Sequence, residues 1–142
     1  MKNSGDLVMA ETDIYDNCSS EMFKLCNKCK TEWKSRDYFL NDPNIVMIGF
    51  MANNDNYKRG AYLFNHILPD GSCNTTLGVF VYNFLDMYGG KGHDKLKMGM
   101  DECSGLCVNI YELENCTAHC RNAIARIIMQ EILNKLPAHN KL

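Results

Sequence analysis

The order of apolar and polar residues divides the chain into stretches of helical and of strand-like period. Residues 1–12 are polar and aperiodic and read as a flexible tail. From Asp13 to Leu25, apolar Ile14, Tyr15, Cys18, Met22, Phe23 and Leu25 recur at roughly helical spacing, which predicts a short amphipathic helix running into Cys26. Ser35 is placed to cap a second short helix carrying Tyr38, Phe39 and Leu40, and Asp42-Pro43 would stop it.

The middle of the chain changes to strand formers. IVMIGFMA (45–52) is followed by NNDNYKRG, whose Asn, Asp and Gly residues mark a loop, and AYLFNHI (61–67) reads as the antiparallel return. The turn LPDGS then leads into TTLGVFV (75–81), a third strand, and YNFLDMY after it is compatible with a short helix. GGKGHDKLKMG (89–99) lacks an apolar stripe and reads as an exposed loop. A C-terminal helix follows, capped by Asn115, with Cys116, Cys120, Ile124, Ile127, Ile128, Ile132 and Leu136 on one stripe until Pro137. These elements predict a single α+β domain over residues 13–142, with a small antiparallel three-stranded sheet, short N-terminal helices and a long C-terminal helix.

A chain of 142 residues with 46% hydrophobic content can bury a core without cross-links, so its eight cysteines are not needed as staples. The net charge of -2 supplies no cationic field for a phosphate backbone, which argues against nucleic acid as a partner. The start, MKNSGDLVMAETD, has no apolar run of signal length and no later segment approaches a membrane span, so the expected setting is the cytoplasm. The N-x-S/T triplets at Asn17, Asn74 and Asn115 therefore carry no weight. In a reducing compartment, clustered cysteines point to metal binding or redox chemistry.

Two candidate sites emerge. Cys26-x2-Cys29 has the spacing of a knuckle whose two thiolates meet one tetrahedral zinc, with backbone N–H groups stabilising the sulfurs. His66 and Cys73 flank a turn and can be brought to the same point, completing a Cys3His set. The competing reading leaves His66 as a hydrogen-bonded histidine, Cys73 as a loop thiol and the pair as redox-active, although CNKCKTEW does not open a helix as a thioredoxin pair does. Cys18 is left over as a buried thiol.

The second site lies in CSGLCVNIYELENCTAHC, residues 103–120, where Cys103 with Cys107 and Cys116 with Cys120 form two C-x3-C pairs. On a helix, Cys116 and Cys120 share a face near the N-terminus, where the dipole favours thiolate, and Ser104-Gly105-Leu106 gives the other pair room to fold over them. Tetrathiolate zinc, an iron–sulfur cluster, or disulfides 103–120 and 107–116 would each fit, as would inert core thiols. His119 falls off that face.

The segments CNKCKTEWKSRDYFLNDPNIVMIGF, AYLFNH followed by CNTTL, CSGLC and CTAHCRNA, spread over residues 26–123, resemble a group of small cysteine-rich proteins of anaerobic bacteria. The resemblance implies that the cysteines and His66 occur as one set and carries no activity; ILPDGS stands here where that group has a shorter His-to-Cys gap. No nucleophilic triad, phosphate loop or marked carboxylate pair appears, so the expected protein is a non-catalytic, metal-stabilised one, zinc-like at the first site and zinc or iron–sulfur at the second. The alternative is a redox protein that uses a cluster or dithiol/disulfide exchange at residues 103–120. A third reading makes Met47, Phe50, Met51 and Tyr57 a surface for an unknown protein partner.

Overall fold

A computed structural model describes residues 22–88, 105, 107, 109–114 and 122–140. Strands β1 (Lys24–Leu25) and β2 (Glu32–Trp33) form a small antiparallel ribbon, and helix α1 (Arg36–Leu40) follows. Strands β3 (Ile45–Met51), β4 (Ala61–Ile67) and β5 (Asn74–Phe80) form the expected antiparallel sheet in the order β3-β4-β5. A 3-10 helix, Val81–Met87, succeeds β5, and helices α2 (Ala123–Lys135) and α3 (Pro137–Asn140) close the described chain, giving a mixed α+β fold.

Ser35 caps α1, its side chain accepting a hydrogen bond from the Tyr38 N–H, and Asp42 ends the turn that follows by accepting from the Asn44 N–H. The α2 stripe is buried at Ile124, Ile128, Ile132 and Leu136. Pro137 does end this helix, and then opens the short α3, since a missing N–H costs nothing in a first helical turn. Asn115, Cys116 and Cys120, expected at the start of the C-terminal helix, lie outside the described residues.

One expectation is corrected. The end of the helix foreseen for Asp13–Leu25 is a strand: Lys24 and Leu25 pair with Trp33 and Glu32. Lys24 is nearly fully buried and its Nζ donates to the Gly78 carbonyl at 2.9 Å, tying the ribbon to β5. Tertiary pairing has overridden a short local period. The earlier part of that stretch, residues 13–21, lies outside the described residues.

The sheet's core face depends on a bulge. Met47 pairs with Phe64 and Gly49 with Leu63, so Ile48 is an extra residue, and the parity of β3 changes. Without it Phe50 would face away from Met47; with it Phe50 joins Ile45, Met47, Tyr62, Phe64, Leu77 and Val79 in the core. Met47 and Phe50 are therefore interior residues, which overturns their reading as a partner surface. Helix α2 closes this core, with the Tyr62 hydroxyl donating to the Ala125 carbonyl.

Fully buried Arg126 of α2 lies over the Phe50 ring and donates to the carbonyls of Glu112 and Glu114 at 2.8 and 3.0 Å. Gln130 donates to the Leu113 carbonyl, and the Phe50 N–H to the Ile110 carbonyl. Residues 110–114 are thereby held between α2 and the outer edge of β3. Among the described residues no helix is long and apolar enough to cross a membrane.

Candidate metal centre

The ribbon presents a turn. Cys26 follows β1, its N–H donates to the Thr31 carbonyl at 2.9 Å, and the Lys30 N–H donates back to the Cys26 carbonyl at 2.8 Å. Lys30 closes the turn at φ 67, a conformation that a side chain adopts at a cost of about 1 kcal/mol and that here directs Cys29 beside Cys26. This is the knuckle expected from CNKC.

The second pair of side chains comes from the β4–β5 hairpin. His66 pairs with Thr75 and Ile67 with Asn74, so Cys73 stands one residue beyond the ladder. The intervening ILPDGS folds tightly: the Leu68 N–H donates to the Cys73 carbonyl, the Gly71 N–H donates to the Leu68 carbonyl, and Gly71 takes φ 81. Asp70 accepts from the Ser72 N–H. The six-residue insert thus returns the chain to the point it left, and His66 and Cys73 meet the knuckle.

The ligand atoms of Cys26, Cys29, His66 and Cys73 all lie within 4.8 Å of one another. The Cys26 and Cys73 sulfurs are 3.7 Å apart, and Cys29 Sγ is 3.6 Å from His66 Nδ1. A tetrahedral zinc with bonds of about 2.3 Å to sulfur and about 2.05 Å to nitrogen has edges of about 3.8 Å between sulfurs and about 3.6 Å from sulfur to nitrogen. The group can hold a metal ion.

Its surroundings hold the donors in place. The Trp33 ring stands edge-on to His66, centroids 4.9 Å apart, and the Trp33 Nε1–H donates to Asp42 at 2.9 Å. Thr31 Oγ1 lies 3.0 Å from Cys29 Sγ, at hydrogen-bonding distance. Cys26 and Cys73 are fully buried, His66 is 1% exposed, and Cys29 is half-buried. None of Thr31, Trp33 and Asp42 was foreseen as part of the site, because only proximity to Cys29 and His66 gives them a role.

The thiols respond unequally to this packing. Burial acts to raise the Cys29 thiol, but hydrogen bonds from the Thr31 hydroxyl and backbone, and from Cys26 and Cys73, bring it down to about 7 from its ordinary 9.0. Burial, reinforced by the hydrogen bonds and charges of Cys26 and Cys29, pushes Cys73 up to about 12. Three sulfurs this close cannot all carry charge at neutral pH unless a cation joins them. Burial lowers His66 below its ordinary 6.5 despite the charge of Asp42, which keeps a nitrogen lone pair for coordination.

Of the second cysteine group, Cys107 is a free thiol packed at the margin of the core. Cys103, Cys116 and Cys120, like Cys18 and His119, lie outside the described residues. No known protein family, curated protein or solved structure matches this chain. The reading of the centre therefore rests on its own geometry.

Proposed function

We propose that the chain is a non-catalytic zinc protein in which Cys26, Cys29, Cys73 and His66 hold one ion that joins the ribbon to the β4–β5 hairpin. The observation that carries this reading is the match of the 3.7 and 3.6 Å separations to the edges of a zinc tetrahedron. Four protein donors leave no position open for substrate, as in structural rather than catalytic zinc sites. Thiolate and imidazole donors favour zinc over magnesium or calcium, which take oxygen.

Metal analysis of the wild-type chain and of Cys73→Ser, purified side by side, tests the assignment. The variant should carry one zinc fewer per chain; equal zinc contents would remove Cys73, and with it the proposed centre. Taking the difference keeps any metal held by the other cysteines out of the comparison.

Acid should empty the site. As pH falls through about 7 a proton competes for the Cys29 sulfur, and at lower pH another competes for His66. Both shifts have the same sign for metal binding: protonation removes a donor, so affinity falls with pH and more protons are displaced per ion bound. Calorimetric zinc titrations in buffers of different ionisation enthalpy should record rising proton release from pH 8 to pH 6. A proton count that stays constant over this range would contradict the donor set.

A further inference from the structure

We infer that Cys29 is the peroxide-sensitive ligand of the centre, the sulfur through which a hydroperoxide expels the metal. The inference rests on the metal reading above. Cys26 and Cys73 are 0% exposed and His66 1%, so solvent reaches the donor set at Cys29. Lys28 and Lys30 on either side of it are exposed. An open cleft is lined by Thr31, Glu32, Trp33, Lys34, Tyr38 and Asp42, and Thr31, whose Oγ1 lies 3.0 Å from Cys29 Sγ, forms part of its wall. Of the four donor residues Cys29 is the one with substantial exposed surface, so it is the one a small neutral oxidant meets first.

The neighbouring sulfurs complete the chemistry. The Cys29 thiolate attacks a peroxide oxygen: an S–O bond forms, the O–O bond breaks, and the departing alkoxide or hydroxide takes a proton from water. Cys26 and Cys73 both lie within 4.8 Å, so either thiolate can attack the oxidised sulfur, forming a disulfide as the S–O bond breaks and hydroxide leaves. Two sulfurs have then given two electrons to one peroxide. One thiolate and His66 remain as donors, too few to retain the ion, and a dithiol reductant restores the set.

Stoichiometric hydrogen peroxide added to the zinc-loaded full chain tests this, with released zinc read by a chromogenic chelator and cysteines located by tryptic mass spectrometry after alkylation. Cleavage after Lys24, Lys28 and Lys30 places Cys26 and Cys29 in separate peptides. The expected result is one zinc released for each Cys29 peptide found disulfide-linked to the Cys26 or Cys73 peptide, reversed by dithiothreitol with added zinc. Zinc retained at the centre, or lost while Cys29 remains open to alkylation, overturns the role of Cys29. A chain that carries no zinc at Cys73 before peroxide is added overturns the metal reading instead.

Discussion

If Cys26, Cys29, His66 and Cys73 hold zinc as proposed, stripping it with a strong chelator is expected to lower the free energy of unfolding by about 4 kcal/mol or more, the effect of a ligand present at about a thousand times its dissociation constant. The donors come from two separate elements, the knuckle after β1 and the β4–β5 hairpin, so only the folded chain offers all of them at once. Without a cation, the closely spaced Cys26, Cys29 and Cys73 sulfurs must shed charge by protonation, and the ribbon would lose one of its ties to the sheet. The protein supplies its own reporter, because its single tryptophan, Trp33, packs edge-on against His66. Urea unfolding followed by tryptophan fluorescence, with zinc and with chelator, should give two separated transitions. Superimposable curves would mean that the ion contributes nothing to the fold.

Gly49→Ala is expected to cost about 2–4 kcal/mol, although the substitution adds a single methyl group. A Cβ at position 49 would run into the Ile110 carbonyl oxygen, with the Ile110 carbonyl carbon at 3.2 Å, and both are backbone atoms that cannot swing aside. The same carbonyl accepts the Phe50 N–H at 2.7 Å, so making room for the methyl also breaks that bond. The loss should reach beyond β3, because residues 110–114 are pinned at their other side by Arg126 and Gln130. Hydrogen exchange should show the Phe50 amide losing protection first, alongside a lowered unfolding midpoint. A variant as stable as the wild type would show that residues 110–114 can move off the strand at little cost.

Each half of the centre could be read from residue order because the geometry within each turn is local. Two cysteines three positions apart specify a knuckle, and FNH followed by a Pro-Asp-Gly turn and a cysteine specifies a hairpin that returns to its start. The three long strands were equally legible, each being a run of strand formers between turn residues. The β1–β2 ribbon was not, since two-residue strands have no period to detect and the apolar residues around Phe23 also satisfy a helical one. The bulge at Ile48 hid for a related reason: IVMIGFM reads as one strand, and the change of face appears only when Phe64 and Leu63 are placed opposite. Thr31, Trp33 and Asp42 are ordinary residues until folding sets them against the ligands. The pairing of Cys103, Cys107, Cys116 and Cys120 remains a statement about spacing, with Cys107 alone among the described residues.

The separation of the donors along the chain bears on the order in which the protein assembles. Cys29 and His66 lie 37 residues apart and Cys26 and Cys73 lie 47 apart, whereas each pair of donors within its own turn is separated by only a few residues. With the proposed centre, a nascent chain could capture the ion at either turn with two bonds, before the elements between the turns are in place. Joining the halves would then close a loop whose entropic cost grows only slowly with length, and the two remaining bonds to the ion would offset it. The ion would act as a folding template as well as a fastener, and chains that meet zinc only after synthesis would reach the native state more slowly than chains that fold around it.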